Sequence, residues 1–503
     1  MIWLVLSLFL PFITALACLH KQNYGPWVPR LSLIGAVVQL GSAVMLVRHV
    51  IEHGYTVIHV GGWQAPFGIS LVADLFSAMM VAVTGVIGVA VAAYSMGDID
   101  MAHTRKHYYS LIHLLLMGVN GSFLTGDLFN LYVWFEVMLL ASFVLITLTG
   151  TKDQLEGGVK YLLINILSSV LFLCGVGLIY GKLGTLNMAD IAMLLKDHDD
   201  ALLVNSSAML LLVAFGIKAG LFPFFFWLPA SYHTPKISIS AIFAGLLTKV
   251  GVYALIRSYT LLFNSQFDVV QDVLLFLAGM TMLTGVFGAA SHFDIKKILS
   301  FHIVSQIGYI VMGLAIGTPV AIAGAIFYTI HHILVKTNLF LIAGLIEKRN
   351  GTTDLKKLGG LYKATPGLAL LFFLPAFSLG GIPPLSGFWA KLGVIKAGLD
   401  TQHYWLVGCA LFVGILTLYS MTKIWAEAFW KKQPPMSKEQ RESCSEQLPM
   451  TMVIPCVGLA VLTVWISLNP QPLLELAQIA SEQLADPQEY IDQVLTTNPE
   501  VSR

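Results

Sequence analysis

Six ionisable side chains of this chain lie inside runs that are otherwise apolar. Lys218 sits in LLVAFGIKAGLFPFFFW, Lys249 in AGLLTKVGVY, Lys336 in FYTIHHILVKTNLF, Lys391 in SGFWAKLGVIKAG, Lys423 in LYSMTKIWA and Glu136 in NLYVWFEVMLLASF. A charge at the centre of a bilayer costs roughly 2.5–3.5 kcal/mol on insertion scales, so residues without a task there would give way to apolar ones. The chemistry such groups can do is to take up, hold and pass on a proton, or to line an ion path.

Their spacing suggests how. Glu136 is the one carboxylate at mid-run and is the natural partner of Lys218; a pair that can form and break would change the proton affinity of the amine. Lys249 is central in its run with no buried acid beside it. His332 and Lys336 are four apart and share a helix face, with His331 adjacent, and imidazoles titrate near neutral pH and can relay protons. Lys391 fits an exit station. Lys423 is close enough to its helix end to snorkel to the interface. His302, His113 and Asp74 are secondary candidates, Asp74 as an outer funnel residue.

Nothing points to a cofactor or a metal. Gly177-Leu-Ile-Tyr-Gly181-Lys182 is too short for a phosphate loop and has leucine where Ser/Thr is required. The five cysteines (Cys18, Cys174, Cys409, Cys444, Cys456) have no ligand spacing. A formal net charge of +1 leaves no nucleic-acid footprint.

The elements that must position these residues are transmembrane helices. Of 503 residues 56% are hydrophobic and 11% charged, with mean hydropathy +0.77, against about 25% charged in a soluble domain. Apolar windows near 1–19, 31–51, 69–94, 108–126, 128–149, 159–181, 203–229, 237–260, 268–291, 299–317, 320–346, 366–398, 403–430 and 450–468 predict an all-α protein of fourteen spans. Residues 1–19 lack a basic flank and read as a first span, not a cleaved signal. Of the 29 Lys and Arg, 18 fall in connections that follow odd-numbered spans and 6 on the other side, Arg257 among them. This bias makes the former connections cytoplasmic and places both termini outside.

The chain also resembles itself. Asp127 opens span five and Asp294 span ten; AGLFP, ending at Pro223, lies in span seven and GGIPP, with Pro383 and Pro384, in span twelve; Thr248-Lys249 in span eight matches Thr422-Lys423 in span thirteen. Spans four to eight and nine to thirteen thus form two five-helix units, inverted because five is odd. The Gly and Pro residues predict interrupted helices seven and twelve, and matched interruptions point to a transporter's midplane site. The expected division is a three-helix segment over 1–107, half-channel units over 108–262 and 263–432, and a last span with an external tail over 433–503. Within the tail, LLELAQIASEQLADPQEYIDQVL predicts a short surface helix.

The segments DLFNLYVWFEVMLLASFVLI, LPASYHTPKISISAIFAGLLTKVGVYAL, DIKKILSFHIVSQIGYIVMG, HHILVKTNLFLIAG and SLGGIPPLSGFWAKLGV resemble a known family. It comprises the antiporter-like membrane subunits shared by respiratory complex I, membrane-bound hydrogenases and multisubunit Mrp-type cation/proton antiporters. Within it, the length and PFGISLVADLFSA look most like the D-type Mrp subunits. The resemblance places the family's buried glutamate on Glu136, its lysines on Lys218 and Lys249, its central group on His331, His332 and Lys336, and its span-twelve base on Lys391. It implies a hetero-oligomer in a bacterial cell membrane, with lipid and other subunits as partners and Na+ efflux coupled to proton uptake. The alternative is a redox-driven proton-pumping subunit of a complex I-like or hydrogenase assembly; one complex I paralogue, however, has glutamate where this chain has Lys391. A scaffold subunit with vestigial ion sites is a further possibility, separable by substitution.

Overall fold

The protein is described by a computed structural model over residues 1–20, 25, 27–196, 201–264, 267–435 and 447–496. Lys21, Lys438, Arg441, Cys444 and Arg503 therefore lie outside the described residues. Twelve helices in that set are long and apolar enough to cross a membrane, and Tyr108–Leu124 and Pro366–Gly380 are shorter apolar helices.

In chain order they begin with Ile2–His20 (α1), Trp27–His53 (α2), Leu75–Asp98 (α3), Tyr108–Leu124 (α4), Leu128–Ile146 (α5) and Lys152–Leu183 (α6). Next, α7 is Ala201–Ala219, resumed as Trp227–Ser231, and α8 spans Ile237–Leu262. Phe267–Ser291 (α9), Ile295–Ile316 (α10) and Pro319–Asn350 (α11) follow, then α12 in two pieces, Pro366–Gly380 and Ser386–Asp400. Tyr404–Trp430 (α13) and Met450–Leu468 (α14) lead to two tail helices, Gln471–Ala485 (α15) and Pro487–Thr496 (α16).

Burial sorts the helices. In the most apolar stretches of α8 and α11 every residue is buried and in α10 94%, whereas in α1, α6 and α13 only 39% is. Apolar side chains facing hydrocarbon carry no penalty, while polar ones must turn inward. The three innermost helices are accordingly those that bear Lys249, His302, His331, His332 and Lys336.

Helix starts are set by local capping. Asp127 accepts from the Asn130 amide at 2.7 Å to begin α5, and Asp294 from the Lys297 amide at 3.0 Å to begin α10. Each Asp also forms an isolated bridge to the segment beyond the next two helices, Asp127 with Asn187 and Asp294 with Asp354.

Both interruptions follow one scheme. Gly220 (φ 81°) ends the first piece of α7 and Gly381 (φ 86°) that of α12; the left-handed conformation strains any residue with a Cβ. Leu221 N donates back to Gly216 O at 2.9 Å and Ile382 N to Phe377 O at 3.3 Å. Pro223, and Pro383 with Pro384, then offer no amide to continue the ladder.

Two features depart from the sequence reading. A hairpin of Thr56–His59 (β1) and Ser70–Ala73 (β2), paired Thr56 to Ala73, precedes α3, so α3 starts at Leu75 and not near residue 69. The tail forms two helices where one was expected, and they pack: Gln483 accepts from Leu75 N at 3.3 Å, and the Tyr490 ring meets Tyr55 edge-on at 6.0 Å.

Candidate functional site

Glu136, on α5, receives a hydrogen bond from the Ser169 hydroxyl of α6. It lies within electrostatic reach of Lys218 without a direct ion pair. Lys218 is buried on the last turn before the α7 interruption, its Nζ 5.6 Å from the centre of the Phe135 ring and without a hydrogen-bond partner. The interruption is held by its neighbours: Trp227 Nε1 donates to Ile217 O at 3.1 Å, and Phe222 N to Thr281 Oγ1 of α9 at 3.0 Å. The expected pairing of Glu136 with Lys218 thus takes a looser form, in which Ser169 occupies the carboxylate.

Lys249 is fully buried on α8, and its Nζ donates to Ala244 O, five residues earlier. Residues Phe243–Leu247 form a π-helical turn, and such turns displace carbonyls from the regular ladder and recur at functional sites. Lys249 is in electrostatic reach of His332 and Lys336 on α11.

On α11, Lys336 Nζ donates to Leu299 O at 3.2 Å. The two histidines differ. His331 Nδ1 meets Ser386 Oγ at 2.9 Å and its ring stands edge-on to Tyr328; both ring nitrogens of His332 find no hydrogen-bond partner. His302 on α10 is likewise buried without a partner, and feels Lys336, Lys391 and Lys423.

Lys391 follows the α12 interruption and turns back on it. Its Nζ donates at 3.0 Å to the Gly380 carbonyl that the break leaves free, and lies 5.0 Å from the Tyr309 ring centre. Tyr309 stacks on Tyr328 at 5.4 Å, and Tyr328 donates to Gln306 Oε1. From Lys249 to Lys391 the buried bases therefore follow one another across α8, α11, α10 and α12, each in electrostatic reach of the next.

The other candidates have mainly structural partners, although Lys423 is also in electrostatic reach of His302. Lys423 caps the end of α9, donating to Ala290 O at 2.8 Å and His292 O at 2.7 Å. His113 is buried against Ser32 of α2, 2.9 Å away. Asp74 is the N-cap of α3, with a reciprocal Ser77 capping box, and pairs with Arg257 at 2.5 Å. Arg257, counted from the sequence as a connection residue, is only 6% exposed; it also donates to Tyr253 OH at 3.0 Å and lies 5.4 Å from the Tyr490 ring centre.

Sequence reasoning passed over Ser169, Gln306, Tyr309, Tyr328 and Arg257. Gln306 carried a signal, an amide in an apolar run. Serine and tyrosine in a span are too common to stand out.

Residues 125–417 match the family model described as NADH:quinone oxidoreductase/Mrp antiporter, transmembrane. The chain is 46% identical over 98% of its length to the D-type component of a Na+/H+ antiporter of Alkalihalophilus pseudofirmus, covering 99% of that protein. It is 37% identical, with the same coverage, to the D-type component of a Na+/H+ antiporter of Bacillus subtilis. Among solved structures, a chain of the Mrp complex from Dietzia sp. superposes with a TM-score of 0.89 at 34% identity, over 98% of this chain and 100% of that one. A chain of the archaeal membrane-bound sulfane sulfur reductase gives 0.90 at 26% identity, over 98% and 99%.

Proposed function

This chain belongs to the NADH:quinone oxidoreductase/Mrp antiporter family of membrane proteins, and from that premise we propose that it is the D-type, proton-translocating subunit of a multisubunit Na+/H+ antiporter. It is a transporter subunit and not an enzyme. The observation that carries the reading is the unbroken series of buried bases from Lys249 through His332, Lys336 and His302 to Lys391; Lys218 and Glu136 form a separate pair, Lys218 on a helix whose backbone packs against α8 at Gly251.

The path runs as follows. Protons enter one half-channel and pass Lys218 and Lys249, cross the His331, His332 and Lys336 region, and reach Lys391. Neighbouring amines in a low dielectric repel when both are charged, so loading one station drives the proton of the next onward. Glu136 gates the entry by drawing closer to Lys218 or staying with Ser169. The two interruptions line the path with free backbone, as at Gly380.

The architecture in this reading is fourteen spans, with α4–α8 and α9–α13 as inverted half-channel units, in a bacterial cell membrane with both termini outside. The matched caps and bridges of Asp127 and Asp294, and the matched Gly220 and Gly381, support it. Protons and Na+ are the transported ions, and other subunits are the partners.

Replacing Glu136 or Lys218 by alanine is expected to abolish Na+-dependent proton movement in vesicles holding the assembled complex. Undiminished antiport by both variants, with assembly intact, would reduce the chain to a scaffold. The likeness to a respiratory complex favours a second reading, redox-driven pumping. Copurification with iron–sulfur proteins in place of antiporter subunits would establish that one.

A further inference from the structure

Between the first piece of α12 and α14, backed by the end of α11, runs a groove of about 710 Å³. Leu345, Leu368, Leu371, Val453, Val457 and Val461 line it, and Thr365 is its one polar side chain. None of the buried bases reaches it.

Charge collects at the Thr365 end. Lys363 is two residues away, exposed, and forms no ion pair among the described residues. Lys357 precedes on the connection, whereas Lys348 opens into a separate polar pocket with Asp98 and Lys296, and Lys356 lies 5.1 Å from the Phe293 ring centre. The nearby carboxylates are engaged elsewhere, Glu347 with Lys296 at 3.1 Å and Glu427 with Lys431 at 2.6 Å. Tyr362, beside Lys363, is 52% exposed, as aromatic residues at a headgroup boundary are.

Size decides what fits. A helix with its side chains is about 10–12 Å across and rises 5.4 Å per turn, so this space would seat between one and two turns of one. A thread-like apolar chain fills it instead, and each buried methylene adds to the hold. Lys363 and Lys357, exposed and without an ion pair among the described residues, ask for an anionic head.

We propose that this groove binds an anionic phospholipid, with an acyl chain laid along α14 and the phosphate at Lys363. The inference rests on the preceding section only in that the chain lies in a bilayer; it makes no use of the proton path.

The test is native mass spectrometry of the purified, intact assembly supplied with equal phosphatidylglycerol and phosphatidylcholine. The parent should retain phosphatidylglycerol severalfold over phosphatidylcholine. Lys363→Glu should lower that preference at least threefold, and Lys363→Gln by less. Val457→Phe, at a 40% exposed position that narrows the groove, should reduce retention of both lipids. No preference in the parent, or an unchanged preference in Lys363→Glu at normal subunit stoichiometry, would overturn the proposal. So would efficient cross-linking of Val457→Cys to another subunit in intact membranes, which would make the occupant a protein. Antiport is not the readout, so failure here leaves the proton path standing and loss of the path leaves this site testable.

Discussion

Gly251 of α8 lies against the backbone of Lys218 of α7: a methyl group placed on Gly251 would stand 2.5 Å from Ala219 N and 2.8 Å from the Lys218 carbonyl carbon. The contact is backbone to backbone and cannot be relieved by a rotamer change. In a free helix Gly→Ala is favourable by about 1 kcal/mol, whereas overpacking costs about 1–3 kcal/mol. Gly251→Ala is therefore expected to separate the helices that carry Lys218 and Lys249 and to lower antiport at least tenfold. Gly177→Ala on α6, where a methyl meets nothing within 4 Å, should leave it unchanged. Dye-reported Na+-dependent proton flux in vesicles, at matched complex levels, checks both; equal behaviour of the two variants would refute the spacing argument.

The ion pair of Asp74 with Arg257 ties α3 to α8, with side-chain exposures of 2% and 8%. Removing one partner of a buried pair strands the other charge, at a cost of about 3–5 kcal/mol, while removing both can be close to neutral. Asp74→Asn keeps the helix cap and strands the guanidinium; Arg257→Met strands the carboxylate. Each is expected to lower the unfolding temperature of the purified assembly clearly, and the double variant to recover much of the loss. Strict additivity would show that the pair is not a unit.

What could be read from the sequence divides along physical lines. Lys218, Lys249, Lys336 and Lys391 stood out because a lysine among apolar residues has no inexpensive explanation, and the interruptions of α7 and α12 because proline cannot donate. Residues whose role comes from a neighbour far along the chain did not stand out. Arg257 sits near a helix end, where the sequence offers a solvated explanation, and only the fold brings Asp74 and Tyr490 to it. Ser169 matters because α6 turns it toward Glu136, and one-dimensional patterning does not contain that. The hairpin before α3 was hidden because β1 and β2 are four residues each and run into an apolar window.

Asp127 offers a pH test outside the helices. Burial pushes its carboxyl up to about 6, against the pull of the Asn130 and Phe129 amides. A folded-state value above the unfolded one, near 3.9, means that the native protein binds the proton more tightly. Stability from this group is then greatest below about pH 4 and falls as pH rises toward 6, by about 3 kcal/mol in all, for a shift of about two units at 1.36 kcal/mol each. Asp127→Asn retains a capping oxygen without the charge. It is expected to unfold at a higher temperature than the parent at pH 7.5 and to lose most of that advantage at pH 4.5. An advantage independent of pH would show that the carboxylate is not strained by burial.

His331 and His332 are adjacent on α11 and ask to be told apart. His331 is anchored by Ser386 at 2.9 Å, so its removal deletes one of two hydrogen bonds of that hydroxyl, which keeps Ser378 at 3.0 Å, and leaves a gap against Tyr328; the lost hydrogen bond costs about 0.5–1.5 kcal/mol. His332 has no partner for either ring nitrogen and lies in electrostatic reach of Lys249 and Lys336. A buried imidazole without partners is unfavourable for stability, which is consistent with a group retained to carry protons between those lysines. His332→Leu is expected to leave the unfolding temperature of the assembly unchanged or higher while antiport falls at least tenfold. His331→Leu should destabilise the assembly, with antiport per folded complex falling less. Full antiport by His332→Leu would take that residue off the path and leave Lys249 and Lys336 to exchange protons without it.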